Sequence, residues 1–302
     1  MFGCERTDKF GIFFTKDGGL VKCMRCGEST SLIKYLIFLN RKDLIGEYSA
    51  PILDELKCLE ELEQVEEKEE QEQVEVKLPD GFKRIYFDEY LEERNWESSD
   101  YNKYKVGVST ERKLRNHIIY PIYQNGVLSS WLARSRMDKD WHKQNIKDFK
   151  SGEASLVLRY YNSEGTEFSN LVGNLDSVVE GVDHTVILVE GIFDEQNISK
   201  YIKHLDLKGV KCCFTFGKSL SENQINLLLN KGISNFVLMY DPDALHEIEK
   251  YLLNYSSRIN IEGISLDKED PGDLPDKETF LKYYNNRKQT LEFYQTNIKR
   301  IV

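Results

Sequence analysis

The last third of the chain alternates apolar runs with amphipathic segments of about a dozen residues. The apolar runs are TVILV (185–189), KCCFTFG (211–217), NFVLMY (235–240) and INIEGISL (259–266). Runs that are apolar on both faces, separated by helical patterns, are typical of parallel strands covered by crossover helices. The pattern therefore predicts an α/β domain with a parallel sheet over residues 184–275, followed by one C-terminal helix over 276–302.

Residues 81–183 carry a mixture of short strand and helix patterns. The region follows a Pro-Asp-Gly turn in KLPDGF (77–82), and two strand-like runs flank Gln124-Asn125-Gly126. Asn-Gly between alternating apolar runs favours a tight β-hairpin. We therefore expect an α+β subdomain here, preceding the parallel sheet.

The first 80 residues differ in composition from the rest. Residues 1–48 contain strand-like segments and a cluster of cysteines, which predicts a small β module. Residues 49–80 are rich in Glu and Gln, and positions 60–75 alone hold nine glutamates and one lysine. Such a segment is typical of an acidic linker or a solvated helix.

Charge is distributed unevenly along the chain. The formal net charge is −10, yet residues 102–159 hold twelve Lys and Arg against five acids, which leaves a local charge of +7. A basic block within an acidic protein indicates a polyanion site, although a solvated basic surface would give the same composition. No signal pattern or membrane-length apolar run is present, so we expect a cytoplasmic protein without a membrane partner.

Carboxylates follow three of the four predicted parallel strands. Glu190 ends the first run, Asp241 and Asp243 end the third, and Asp270 and Asp273 follow the fourth. The carboxyl ends of parallel strands meet at one edge of a sheet, where ligands bind. Clustered carboxylates repel one another unless cations lie between them, and hard oxygen ligands favour Mg²⁺ or Mn²⁺.

Each acid taken alone has an ordinary structural explanation. Asp243 suits the N-cap of a helix that begins at Ala244, and Glu190 suits a strand end that faces solvent. Their joint position at one sheet edge favours the metal site. The chain contains neither a dinucleotide-binding glycine fingerprint nor a P-loop motif, which argues against those two kinds of nucleotide site.

The VILVEG segment, followed some fifty residues later by Asp-Pro-Asp at another strand end, resembles the TOPRIM domain. This domain is shared by topoisomerases, bacterial-type primases and certain nucleases. The resemblance implies catalytic and metal-binding roles for Glu190, Asp241 and Asp243, and a further metal-binding role for Asp270. Asp273 lies one residue later than the family pattern. Glu190 would either bind a metal or act as a base.

The upstream region resembles the basic subdomain of DnaG-type primases. The segment NHIIYPIYQNGVLSSWLARS leads to Arg134, and LRYYNSEGTEFSNLVGNLD (158–176) is similar to the Lys-Tyr-x-Asn-Ser segment of that family. Arg159 stands in place of the usual lysine, while Tyr160, Asn162 and Ser163 match. The resemblance implies that these residues contact nucleotide or template.

The N-terminal cysteines resemble the zinc-ribbon module of the same primases. Cys23 and Cys26 form a Cys-x-x-Cys pair and Cys4 lies upstream, whereas a tetrahedral zinc site takes four ligands. Met1 occupies the position where the resemblance implies the fourth. Either a natural start lies further upstream, or the site is incomplete, or the cysteines bind no metal.

As a primase, the chain would join NTPs into short RNA on single-stranded DNA with Mg²⁺ or Mn²⁺, and Zn²⁺ if the ribbon is complete. Lys143 and Lys147 would line the template groove, and Trp131 and Trp141 would either stack on bases or belong to the core. A replicative helicase would bind in trans through another surface, or not at all, since the residues after 276 are too few for a helicase-docking domain. By analogy, such a short form is typical of phage and mobile-element primases.

Two alternatives use the same residues. A TOPRIM nuclease or DNA-repair factor would hydrolyse phosphodiesters with these acids, and a catalytically silent protein would only bind single strands. Dependence on NTPs separates the primase from the nuclease. Substitution of Asp241 and Asp243 separates both enzymes from the silent protein, whose binding would survive.

Overall fold

The chain forms two compact units, residues 1–75 and residues 76–302, in a computed structural model. The structure describes residues 10–15, 18–23, 29–31, 35–36 and 76–301. The predicted α+β region and the predicted parallel-sheet region both lie in the second unit.

The described residues of the first unit include a three-stranded antiparallel sheet. Its strands, in the order β1-β2-β3, are β1 (Phe10–Thr15), β2 (Gly18–Cys23) and β3 (Ser29–Ser31). Cys23 is the last residue of β2, while Cys4 and Cys26 lie outside the described residues. The zinc set therefore stays a prediction. Most of the predicted acidic linker, residues 49–75, also lies outside the described residues.

The second unit begins with an antiparallel sheet and short helices. The strands, hydrogen-bonded in sequence order, are β4 (Lys83–Arg84), β5 (Gly107–Val108), β6 (His117–Gln124), β7 (Val127–Ser135) and β8 (Tyr160–Asn162). The helices are α1 (Glu89–Glu92), α2 (Ser98–Tyr104) and α3 (Lys139–Ser151). Asn125 and Gly126 both have positive φ, as the tight turn between β6 and β7 requires, so the predicted hairpin is confirmed.

A four-stranded parallel sheet follows, with strand order β10-β9-β11-β12. Its strands are β9 (Thr185–Val189), β10 (Val210–Phe214), β11 (Asn235–Leu238) and β12 (Asn260–Gly263). The crossover helices are α4 (Ile192–His204), α5 (Glu222–Asn230) and α6 (Leu245–Tyr255). The predicted α/β class, with a parallel sheet flanked by helices, is confirmed.

Both faces of this sheet are buried, because successive side chains of each strand point to opposite sides. Ile187 and Val189 of β9 pack into a core that also contains Ile198 of α4. Val186 and Leu188 pack into the other core, together with side chains of α5 and α6. This explains why the strands are continuous apolar runs rather than alternating ones.

The C-terminal segment differs from the prediction. In place of one helix over 276–302, the structure has α7 (Lys277–Asn285) and α8 (Thr290–Ile301). Lys288, between the two helices, forms an antiparallel bridge with Gly263 through two backbone hydrogen bonds of 2.8 and 2.9 Å. Pairing with the edge of the sheet therefore interrupts a segment whose local pattern is helical throughout.

Helix α4 joins the two sheets of the second unit through polar contacts. Glu195 is fully buried and accepts hydrogen bonds from Lys103 Nζ at 2.8 Å, Tyr104 Oη at 2.5 Å and Asn174 Nδ2 at 2.7 Å. The next residue, Gln196, donates to Asp100 Oδ2 at 2.9 Å. These bonds attach α2 to α4, and so hold the antiparallel sheet against the parallel one.

Candidate active site

Three of the predicted acids lie together at the carboxyl edge of the parallel sheet. Glu190, Asp241 and Asp243 each present a carboxylate oxygen, and these three oxygens lie within 4.8 Å of one another. Glu190 Oε1 also accepts a hydrogen bond of 3.2 Å from the backbone amide of Asp241. The strand ends of β9 and β11 thus bring side chains fifty residues apart into one cluster.

The electrostatics of the cluster disfavour ionisation. Burial, followed by the nearby charge of Asp241, raises the pKa of Glu190 to about 7. Burial, followed by the charges of Asp270 and Asp243, raises the pKa of Asp241 to about 6. Burial and the charge of Asp273 also raise the pKa of Asp270. A cation in the cluster would stabilise the ionised form of each of these carboxylates.

One carboxylate oxygen of the cluster is available to bind a cation. Asp241 Oδ1 is buried and has no hydrogen-bond donor among the described residues. A buried acceptor without a partner is costly, and a metal ion would satisfy it. The donor set consists of carboxylate oxygens, which Mg²⁺ and Mn²⁺ prefer. The cluster can therefore bind a divalent metal ion.

A fourth carboxylate, Asp194, was not predicted from the sequence. It lies in the first turn of α4, and its two oxygens accept hydrogen bonds of 3.0 Å from the amides of Gly191 and Gly272. A Cβ atom at position 272 would lie only 2.7 Å from Asp194 Oδ1, so a larger residue there would displace the carboxylate. Burial, followed by the charge of Asp241, raises the pKa of Asp194 to about 7.

The turn that carries the last two predicted acids is attached to α4. Asp270 precedes a short 3₁₀ turn whose last residue is Asp273, and both line the same cleft as Glu190. Asn197 Nδ2 donates to the carbonyls of Pro271 at 3.0 Å and Leu274 at 3.2 Å. Together with the Asp194 bond, these contacts fix the position of both acids relative to the sheet.

A cleft of about 850 Å³ is lined by Glu190 and Asp241, together with Asp194, Asp270 and Asp273 but not Asp243, and residues of the antiparallel sheet form another part of its lining. Of the predicted nucleotide-binding residues, the structure brings Arg134, Arg159, Tyr160 and Asn162 to this cleft. Lys139, at the start of α3, also lines it, and its charge opposes the rise in the pKa values of Asp241 and Asp270. Cationic groups and carboxylates thus lie in one cavity.

The guanidinium of Arg134 is held among aromatic rings. Arg134 Nε donates to Tyr90 Oη at 2.9 Å, and its guanidinium carbon lies 4.4 Å from the centre of the Phe193 ring. Arg94, which we did not predict, lies 3.7 Å from the Tyr90 ring and also lines the cleft. Both cations are therefore oriented before any ligand arrives. The i, i+4 spacing of Tyr90 and Arg94 is the sequence signal that could have indicated this contact between the guanidinium and the ring.

Other predicted binding residues lie elsewhere. Ser163 is only 6% exposed, and its hydroxyl lies 2.9 Å from Ser130 Oγ and 2.7 Å from Thr166 Oγ1, in a buried hydroxyl network behind β8. This environment indicates a structural role for Ser163. Lys143 and Lys147 project from the exposed surface of α3, where Lys143 pairs with Asp140 at 2.8 Å.

The two tryptophans named from the sequence differ in exposure. Trp131 is 7% exposed and donates through Nε1 to the carbonyl of Lys77 at 3.0 Å, so it belongs to the core. Trp141 is partly exposed and packs edge-on against His142, with ring centres 5.0 Å apart.

No protein-family model matches the chain, and a comparison with curated proteins gave no match. Within the described parts of the chain, none of the helices combines the length and the apolar character that crossing a bilayer requires. The case for a function therefore rests on the residues of the cleft.

Proposed function

We propose that the chain is a DNA primase of the TOPRIM class, which synthesises short RNA primers on a single-stranded DNA template by metal-dependent nucleotidyl transfer. The observation that carries the proposal is the shared cleft. It places the acids of three strand ends in one cavity with Arg134, Arg159 and Lys139. A triphosphate needs both kinds of group, since its charge must be neutralised and its reacting end must be oriented.

The acids would hold the divalent metal. Glu190, Asp241 and Asp243 offer a compact set of oxygens, and Asp270 and Asp273 line the adjoining part of the cleft. When bound, Mg²⁺ or Mn²⁺ supplies charge neutralisation at the phosphates and orients the attacking 3′-hydroxyl. Glu190 would serve either as a ligand or as the acceptor of the hydroxyl proton.

The cationic side chains would hold the nucleotide and the template. A guanidinium forms two parallel hydrogen bonds with phosphate oxygens, and this suits Arg134 and Arg159 for the triphosphate or the template backbone. Tyr160 is 41% exposed at the cleft and lies 5.5 Å from the guanidinium carbon of Arg159. Lys143 and Lys147 would extend the cationic surface for the template along α3.

The experiment that tests the proposal uses single-stranded DNA of mixed sequence, Mg²⁺ and labelled NTPs. Wild type is compared with Asp241→Ala, and with Asp206→Asn as a matched control at an exposed aspartate outside the cleft. We expect short RNA products from wild type and the control, and none from Asp241→Ala. Template cleavage without incorporation of NTPs would identify the nuclease alternative instead.

A third result of this experiment would refute both enzymatic functions. If the DNA is bound equally by wild type and Asp241→Ala and neither reaction occurs, the chain only binds single strands. The same assay, repeated with added Zn²⁺ or a replicative helicase, tests the two further partners of the proposal. A primase acting on a replicating template would work in the cytoplasm.

A further inference from the structure

Two phenylalanine rings form a stacked pair in the wall of the cleft. The rings of Phe168 and Phe216 are nearly parallel, with an interplanar angle of 22° and centres 4.6 Å apart. Both side chains are partly exposed, and both line the cleft that contains Glu190 and Asp241. Beneath them, the buried Phe214 meets the Phe216 ring edge-on at 4.8 Å.

The backbone of Phe216 is strained. Its φ of +62° lies in the left-handed region, which a bulky residue rarely adopts, and Gly217 follows with φ of +125°. The Gly217 amide donates to the carbonyl of Glu190 at 2.8 Å, and Thr215 Oγ1 donates to the Gly217 carbonyl at 2.6 Å. These bonds attach the strained turn to the strand end that carries the metal-site glutamate. Such conformations persist where the surroundings impose them, and they cluster at functional sites.

The other ring is fixed by separate contacts. The carbonyl of Phe168 accepts a hydrogen bond of 3.1 Å from Gln224 Nε2, and the carbonyl of Ser169 accepts one of 2.5 Å from Ser221 Oγ. The start of α5 therefore holds the segment that presents Phe168. A side chain whose backbone is held in place loses less conformational entropy when a ligand binds to it.

The cleft thus combines a rigid aromatic surface with guanidinium groups and a carboxylate metal site. A ligand that uses all three must have a flat π-face and several phosphate charges, which is the chemistry of a nucleotide. We propose that the Phe168–Phe216 pair is the platform on which the base of the bound nucleoside triphosphate stacks. This inference rests on the proposed function, and it assigns the base to the wall formed by these two rings.

Packing alone would not explain the arrangement. Phe214 is only 2% exposed, and an apolar cover for it requires neither an aromatic ring at position 216 nor a left-handed backbone there. The left-handed turn instead places the Phe216 ring face to face with the Phe168 ring, and both rings line the cleft. The two explanations predict different effects on ligands with and without a base.

Equilibrium binding of Mg²⁺ complexes separates them. The probes are ATP and GTP, compared with inorganic tripolyphosphate, which carries the phosphates without a base. The variants are Phe168→Leu and Phe216→Leu, which keep apolar bulk, together with Phe216→Tyr, which keeps the ring. Phe87→Leu, at a 67% exposed ring outside the cleft, is the matched control.

We expect ATP and GTP to bind wild type more tightly than tripolyphosphate. Each leucine variant in the cleft should weaken ATP binding by about 10-fold, within the range of one base–aromatic stack, and leave tripolyphosphate binding unchanged. Phe216→Tyr and the Phe87 control should behave as wild type does. Circular dichroism confirms that each variant is folded.

Two results would overturn the inference, and they differ from each other. Equal affinity of wild type for ATP and tripolyphosphate, or an unchanged ratio in both leucine variants, rejects the base platform while leaving the primase proposal intact. Failure of wild type to bind any of the three probes rejects the nucleotide site itself, and the proposed function with it.

Discussion

Neutralising Asp241 should stabilise the metal-free protein while abolishing its response to Mg²⁺. In Asp241→Asn the side chain keeps its size, but the buried oxygen that has no donor now belongs to a neutral amide. The substitution also removes the charge that contributes to the raised pKa values of Glu190 and Asp194. A carboxylate cluster that can bind a cation lowers the free energy of unfolding when no cation is bound. The difference in stability between Asp241→Asn and wild type measures this loss.

The size of the effect follows from the geometry of the cluster. Oxygens of Glu190, Asp241 and Asp243 lie within 4.8 Å of one another. At that distance two unit charges repel by roughly 3.5 kcal/mol at an effective dielectric constant of about 20. All three side chains are partly open to solvent, so screening reduces the gain for the variant to about 1–3 kcal/mol in total. For a unit of this size the melting temperature should rise by roughly 2–12 °C.

The extra stability of Asp241→Asn over wild type should increase as the pH rises. The folded-state pKa values of Glu190, Asp194 and Asp241 are about 7, about 7 and about 6, all above the ordinary values of Asp and Glu. Between pH 4 and pH 7 the folded state therefore binds more protons than the unfolded state, and stability falls as the pH rises. We expect the difference between Asp241→Asn and wild type to be fully developed at pH 8 and to vanish near pH 4.

Thermal unfolding, followed by circular dichroism at pH 4.5 and pH 8 with EDTA or with 10 mM Mg²⁺, checks these expectations. At pH 8, Mg²⁺ should raise the melting temperature of wild type and of the exposed control Asp206→Asn, and should leave Asp241→Asn unchanged. A variant less stable than wild type in EDTA would refute the electrostatic reasoning. An equal response of all three proteins to Mg²⁺ would refute the placement of the metal.

Two further predictions concern α4. In Asp194→Asn a single neutral carbonyl oxygen replaces the two carboxylate oxygens that accept bonds from the Gly191 and Gly272 amides, so the turn that carries Asp270 should loosen. About tenfold more Mg²⁺ should then be needed for half-maximal thermal stabilisation. An unchanged Mg²⁺ midpoint would contradict this role of Asp194. Glu195→Ala removes the shared acceptor of Lys103, Tyr104 and Asn174 and leaves the buried Tyr104 hydroxyl without an acceptor, so it should cost about 1–3 kcal/mol in urea unfolding. An unchanged midpoint would show that the network is not stabilising.

Much of the fold could be predicted because its determinants are local. Thr185–Val189 is continuously apolar and ends in Glu-Gly, and Asn125-Gly126 can adopt the positive φ values of a tight hairpin. The meeting of Glu190 with Asp241 also followed from the sequence, since parallel strands place their carboxyl ends at one edge.

The remaining features depend on tertiary contacts that no local pattern encodes. Asp194 is an acid in the first turn of a helix, which capping alone would explain, and only the approach of Gly272 shows its second partner. Phe216 adopts a left-handed conformation that its residue type disfavours. Lys288 interrupts a helical pattern because the edge of the sheet offers it a partner in Gly263. In each case the decisive residue is distant in sequence.

The geometry of the cleft is set mainly by one helix. The first turn of α4 places Asp194 against the turn that carries Asp270, and its next residue, Glu195, is bonded to α2 of the other sheet. The same helix therefore fixes the acids on one side and the elements that support Arg134 on the other. Because these contacts are largely buried and polar, a shift of the antiparallel sheet relative to the parallel sheet would leave charged groups and hydrogen-bond donors without partners. The gap between carboxylates and guanidiniums is thus built into the fold, and in the proposed function a triphosphate would have to fit that gap rather than create it.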